Sequence, residues 1–402
     1  MRVFNLAKWI WLHNENRKDE YGEFFTSLLI ERKPTLCRLS CDGDYTLFIN
    51  GAFVASNQYG DFEHYKIYDE IEIGEYLQEG ENEIYILVWH FGEDTQRYIN
   101  AQAGVIFELE QDGKIILASN EKVLCRKNQA YKNGYCKKIT GQLGYSFLYD
   151  ARKENLGGFV SATVVEKDCA FFKRPTGKLE LLPEKEIKRL KNEGNYYLID
   201  LGEETVGLPV LEFTSLSEQK ILVAWGEDLQ GDHVRRLIDG RDFSFEYIAK
   251  KGDNKYTNYM LRLGCRYMEL YAEQPIELTY MGLIPQIYPV KEKLFQAGED
   301  FDQKIYDVCV KTLKLSMMEH YVDTPWREQC LYAFDSRNQM LCGYYAFENG
   351  NAEYARANLL LMSKDKRDDG LLAITYPCGM DLTIPSFSLY YFIAVKEYIE
   401  HI

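Results

Sequence analysis

A change of hydrophobic period near residue 297 constrains this chain more than any other feature. Upstream, apolar residues come in short runs bounded by turn residues, the pattern of strands. Downstream, Phe301, Ile305, Val308, Cys309, Leu313, Leu315, Met317 and Met318 recur at helical spacing, which a pleated strand cannot carry on one face. Strands first and helices last give separate β and α layers rather than an alternating α/β sheet. The expected class is multidomain β + α: two β-sandwich or jelly-roll modules followed by helical hairpins. The expected boundaries are 1–170, 171–290 and 291–402.

In the first module, residues 36–41 alternate, Asp42-Gly43-Asp44 turns the chain, and 45–49 follow as a strand. Asn50-Gly51 is a strong hairpin signal, because both central positions of the tight turn need positive φ. Residues 52–55, 80–90, 105–109 and 114–118 read as further strands. The loops 42–44 and 57–61 mix carboxylates, amides and an aromatic ring. Solvated turns are expected there, with sugar or calcium binding as the alternative. His64 and His90 are expected to be structural.

Pro175 and Gly177 punctuate 171–185 as a linker. Beyond it, 196–201, 208–213, 220–225, 242–248 and 266–271 read as strands. Glu227, Arg235, Arg236 and Asp239 collect in the loop after Trp225, either as a solvated loop or as an inter-domain contact. Helices are expected over 297–321, 331–347, 351–362 and 386–402.

With 47 basic and 62 acidic residues the net charge is −15, so phosphate-rich partners are repelled and nucleic acid is excluded. The run from Met1 to His13 is interrupted by Lys8 and lacks the apolar core of a signal peptide. No uncharged run approaches the roughly 18 residues that span a bilayer, so no membrane partner is expected. The ten cysteines are scattered, several in apolar runs (Cys37, Cys41, Cys265, Cys309, Cys342), where thiols pack as small hydrophobes. Reduced cysteines in the cytoplasm are expected. Without a Cys-x-x-Cys pair or paired histidines, neither a metal nor a cofactor is expected. The 31 tyrosines fall mostly in strand-like runs and read as core.

Between the first two helices lies Tyr321-Val-Asp-Thr-Pro-Trp-Arg-Glu-Gln-Cys-Leu-Tyr-Ala-Phe-Asp335. It gathers Asp323, Glu328 and Asp335 with Arg327 and Trp326 around Pro325. The residues before a proline are driven out of the helical region, so Asp323 sits where a helix has ended. Spacing alone leaves two readings: a capping loop with an Arg327–Glu328 salt bridge, or a site on a connector.

The order of parts resembles the α-L-rhamnosidases of glycoside hydrolase family 78, over most of the chain. The pattern Asp-x-Pro-x-Arg-Glu followed by Asp is matched by Asp323, Pro325, Arg327, Glu328 and Asp335, with Thr324 where many members carry Cys. The runs 42–51, 263–270 and 384–391 are similar to that family's N-terminal galactose-binding-like module, the end of its β domain and a later helix start. The resemblance implies inverting hydrolysis of terminal α-L-rhamnose, with a rhamnose-containing oligosaccharide or glycoside as partner. Glu328 would be the general acid, kept protonated by like-charge repulsion from Asp323 and Asp335 against Arg327. Asp323, Arg327 and Asp335 would bind sugar hydroxyls, and Trp326 would offer a stacking face.

The family's helical domain is an (α/α)6 toroid of twelve helices, of which four are legible here, and no residue matches its general base. Asp381 is the nearest unassigned acid and nothing marks it as a substitute. The chain therefore resembles the N-terminal portion of a rhamnosidase with an incomplete catalytic domain, active or inactive. The alternatives are a non-catalytic carbohydrate-binding protein and half of a split enzyme. Unburied helix faces are expected to pack on the second β module or on another chain, either a second copy or a complementing polypeptide.

Overall fold

The computed structural model describes residues 3–30 and 35–402; the first two residues of the Met1–His13 run lie outside the described residues. The first module is a two-sheet sandwich. One sheet runs Thr163–Val164, Ile10–Trp11, Val105–Gln111, Leu36–Cys41, Tyr65–Glu72, Ala170–Lys173, with Lys114–Ala118 beside Val105–Gln111. The other runs Val160–Ser161, Leu124–Lys127, Glu20–Ile30, Gly80–His90, Asp44–Ile49, Ala52–Ser56. Alternate residues face inward, so Cys37, Leu39 and Cys41 from one sheet meet Tyr45, Leu47, Ile84 and Ile86 from the other. The hairpin at Asn50-Gly51 forms as expected, with φ of 51° and 78° at the two turn residues.

The second module is a nine-stranded sheet built on one long strand, Tyr196–Ser215. Before a bend at 200–205 this strand pairs with Lys188–Asn192. After the bend it pairs with Ile276–Ile287 and Gly252–Thr257, and Leu263–Ala272 runs beside both halves. The two strands expected at 196–201 and 208–213 are these halves. Gly202, at φ 83°, lies in the irregular stretch between them, which looks like a break in sequence while neighbouring strands keep the pairing going.

The two β modules interlock. Leu148–Asp150 adds in parallel to Ser244–Ala249, and Tyr131, Ile139, Leu143 and Phe147 enter the second module's core. Ala170–Lys173, which overlaps the stretch read as a linker, pairs in parallel with Tyr65–Glu72. Phe171 packs on Phe4 and Trp9, which a free linker would not do.

Four helices follow: α1 (Asp300–Leu315), α2 (Ala333–Ala346), α3 (Ala352–Met362) and α4 (Pro385–His401). Pro385 occupies the first helical turn, where its missing N–H costs nothing. None is long and apolar enough to cross a membrane. Their core joins Leu313, Tyr321, Met340, Phe347 and Tyr354 to Tyr59, Phe62 and Ile67 of the first module. The helices thus rest largely on the first module, not only on the second as expected; the second receives Met318 and Val322 beside Val206. The apolar period of α1 is only half used, because Val310 and Leu313 are buried while Phe301, Ile305 and Val308 are exposed. On α4, Leu389, Phe392 and Ile399 are exposed as well. Cys309 and Cys342 are exposed rather than packed, whereas Cys37, Cys41 and Cys265 are buried thiols.

Candidate active site at the α1–α2 connector

The connector is closed on itself before any distant residue touches it. The Asp323 amide donates to the Cys330 carbonyl at 3.0 Å, and the Cys330 amide donates back to Asp323 Oδ1 at 3.0 Å. The loop between them turns at Pro325 and at Gln329, whose φ is 50°. Gln329 is buried, and its Nε2 donates to the carbonyls of Pro325 (2.8 Å) and Arg262 (3.1 Å). That pins the loop to the second module, and Arg262 is itself fixed by a two-pronged ion pair with Glu319 at 2.8 and 2.9 Å. Tyr332, just past the loop, donates to Gln96 of the first module at 2.9 Å.

Gly264 explains how closely the loop seats. A Cβ there would lie 2.2 Å from the Pro325 carbonyl oxygen, so only glycine lets the second sheet approach. Trp326 follows Pro325 into the second module's core. Its ring lies 4.7 Å from that of Phe243, with the Arg235 guanidinium 6.0 Å away. At 1% exposure it cannot stack on a sugar, which corrects the role expected for it. Burying the ring contributes about 2–3 kcal/mol to holding the loop down.

With the backbone fixed, three carboxyls gather beside it. Asp323 and Glu328 interact through charge and hydrogen bonding, and Asp335 joins them from the first turn of α2. Burial pushes Asp323 up to about 7; the Cys330 amide opposes this and the nearby Glu328 charge reinforces it. Asp335 is also raised, first by burial, with Glu328 adding to it. Burial thus raises Asp323 and Asp335, the two acids that the resemblance set beside Glu328 as neighbouring charges. Glu328 Oε2 is buried and accepts no hydrogen bond.

Arg327 is half exposed, its Nε 3.8 Å from Glu328 Oε2, a loose contact worth little as a cap or salt bridge. A second guanidinium comes from the second module: Arg241 Nη2 stands 3.6 Å from Glu328 Oε1. Glu227 joins from the same module, raised by burial, lowered by Arg327 and raised again by Glu328. Behind it, burial and then Glu227 push Glu204 up to about 8. In the charged loop after Trp225, Glu227 and Arg235 thus face the connector, whereas Arg236 pairs with Asp242 and Asp239 is solvated, so each of its two readings holds for part of it. Arg241 escaped the sequence reading; the Asp239-Gly240 turn beside it was the available signal. Asp381 pairs with Arg367 on an exposed loop, in no contact with these acids.

The first-module loops also differ from expectation. Asp42 and Asp61 are not solvated. Asp42 is bound by Lys167 (2.9 Å), His90 Nδ1 (3.0 Å) and Lys66 (3.5 Å), and Asp61 by Lys66 (2.7 Å). The carboxylates of Asp42 and Asp61 are thus taken up by internal cations, while Asp44 is partly buried, makes no ion pair among the described residues and accepts from the Gln58 amide at 3.3 Å. Among the described residues no group of three or more His, Cys, Asp or Glu could hold a metal ion.

No family model matches the sequence, and no curated protein matches it. What the chain shares is a fold: its two β modules leading into helical hairpins are similar to those of solved α-L-rhamnosidases. The chain is similar to the glycoside hydrolase family 78 rhamnosidase of Bacillus sp. GL1 (TM-score 0.88, 16% identity), over 99% of this chain and 67% of that one. It is similar to the α-L-rhamnosidase from Dictyoglumus thermophilum (0.77, 17%) over 98% of this chain and 50% of that one. Against the Streptomyces avermitilis α-L-rhamnosidase complexed with L-rhamnose (0.75, 15%) the shares are 96% and 42%. The chain spans between about two fifths and two thirds of these relatives, and at such identities the likeness is one of fold.

Proposed function

We propose that this chain is the acid-bearing part of a glycoside hydrolase that removes terminal α-L-rhamnose from rhamnose-containing glycosides with inversion. The observation that carries the reading is the gathering of Asp323, Glu328 and Asp335 on one connector, among two guanidiniums, in a fold shared with solved rhamnosidases. In this reading Glu328 delivers a proton to the glycosidic oxygen as the C–O bond breaks. A carboxylate roughly 6.5–9.5 Å away deprotonates the water that attacks the opposite face of the sugar. Asp323 and Asp335 bind sugar hydroxyls, and Arg327, half exposed, donates to them. No carboxylate of this chain is assigned the water-activating role.

The same incomplete constellation supports a second reading: a carbohydrate-binding protein that holds rhamnose without cleaving it. One assay separates the two. Turnover of an aryl α-L-rhamnoside by the 402-residue chain, falling by at least about a hundredfold in Glu328→Gln, is the result expected of an enzyme. Rhamnose binding without turnover favours the binding protein. Turnover that survives Glu328→Gln removes the acid role from Glu328.

A further inference from the structure

The first module also grips the connector, through a loop between its strands Gly80–His90 and Val105–Gln111. That loop is closed by its own bonds: the Thr95 amide donates to the Tyr98 carbonyl at 3.0 Å, and the Arg97 amide donates to Thr95 Oγ1 at 3.2 Å. Tyr98 roots it, donating its hydroxyl at 2.5 Å to Asp42, the carboxylate that Lys167 and His90 also hold. Gln96 therefore projects from a fixed base. It is only 7% exposed, and a glutamine on a loop is buried so deeply only where it has partners.

The partners are two segments of the helical region. Tyr332, at the entrance to α2, donates its hydroxyl to Gln96 Oε1 at 2.9 Å. Thr375, fully buried, donates to the Gln96 carbonyl, and the Gly379 amide donates to the Thr95 carbonyl at 3.0 Å. The two segments also meet each other, the Tyr376 amide donating to the Leu331 carbonyl at 3.2 Å. Arg97 adds a longer contact, 3.5 Å from Nη1 to Gln329 Oε1. The connector is thus held twice. The second module holds it before Cys330, at Trp326 and Gln329, and Gln96 holds it beyond, at Tyr332.

We propose that Gln96 is a positioning residue of the acid-bearing site: through Tyr332 it sets the start of α2, and with it Asp335, against the loop that carries Asp323 and Glu328. The first module is then a working part of the site rather than a separable binding accessory. Gln96 acts through Tyr332 and supplies no group to the reaction itself. The consequence for sugar binding rests on the function proposed above, whereas the hold on the connector does not.

The test is hydrogen–deuterium exchange of the 402-residue chain, read by mass spectrometry in peptides covering 321–335 and, as a control, the core strand Val105–Gln111. Gln96→Leu removes the acceptor and keeps the volume. Losing that one hydrogen bond should speed exchange of the connector at least about fivefold and leave the control strand unchanged. Gln96→Glu keeps an acceptor oxygen at the same reach and retains the protection. Tyr332→Phe deletes the same bond from the other side, and it is the second variant should the leucine perturb folding. Combined with Gln96→Leu, it should speed exchange no further than the faster single variant. Protection kept in both single variants overturns the proposal. So does equal acceleration of connector and control, or a double variant whose effects multiply. Titration with L-rhamnose probes the functional reading separately. A dissociation constant raised about tenfold in Gln96→Leu supports both ideas. Sugar binding left unchanged in Gln96→Leu overturns the positioning of the site by Gln96. A loosened connector in a chain that binds no L-rhamnose even when unsubstituted upholds the hold by Gln96 and counts against the rhamnose reading alone.

Discussion

Two buried aspartates in this chain meet opposite fates. Asp42, in the first sandwich, is 1% exposed, and burial works to raise it; Lys167, Lys66 and His90 overcome that and hold it well below the ordinary carboxylate range. Asp323, in the α1–α2 connector, has no cation in hydrogen-bonding contact, and burial with a second carboxyl beside it pushes it up to about 7. Both pay for leaving water; what differs is the company. A carboxylate surrounded by cations is a strut that resists any further ligand. One left short of them keeps a proton to give and an oxygen to offer, as a reactive site requires.

The comparison can be broken at either end, and the largest effect is expected at Asp42. Asp42→Asn leaves Lys167 without its carboxylate and weakens the hold on Lys66 and His90. A loss of about 3–5 kcal/mol is expected, measured by urea unfolding at pH 7. A loss below 1 kcal/mol would mean that the network is not a strut.

At the other end, Asp323 makes the folded state bind a proton that the unfolded chain has already released. The contribution of Asp323 to stability should therefore fall as pH rises from about 4 through 7, by about 2–3 kcal/mol between pH 5 and pH 8, alongside a separate contribution of the same sign from Glu204. Asp323→Asn should remove that slope. Asp42, depressed in the folded state, has the opposite sign: its contribution is complete above its unfolded value near 4 and disappears as pH falls below it. Unfolding midpoints of both variants across pH 3 to 8 separate the two. Parallel profiles would erase the contrast.

The smallest effect is expected at Arg327. Its contact with Glu328 is 3.8 Å and half exposed, so Arg327→Gln should change stability by no more than about 0.5 kcal/mol. A larger loss would restore the capping-loop reading of the connector.

The fold was legible wherever the signal is local. The turn residues Asn50-Gly51 marked their hairpin, and the change of period near 297 separated sheets from helices close to the observed helix ends. The long strand Tyr196–Ser215 was misread as two because Gly202 and its acidic neighbours look like a turn; only its partners show otherwise. The linker failed likewise: Pro175 and Gly177 announce a break, but Phe171 already belongs to a packed strand.

The site was half legible. Asp323, Glu328, Arg327 and Asp335 lie on one short stretch and could be named together. By itself the sequence determined that this connector is acidic, that it joins two helices and that two β modules precede it, because these follow from spacing and turn chemistry within a few residues. Tertiary structure alone decided that Trp326 is an anchor, that Arg241 faces Glu328 and that Asp42 rather than Asp323 finds cations. The physical reason is that the energy of a buried charge is set by whatever lies within a few ångströms in space. For Asp42 that includes Lys167, 125 residues away, a separation no local pattern records.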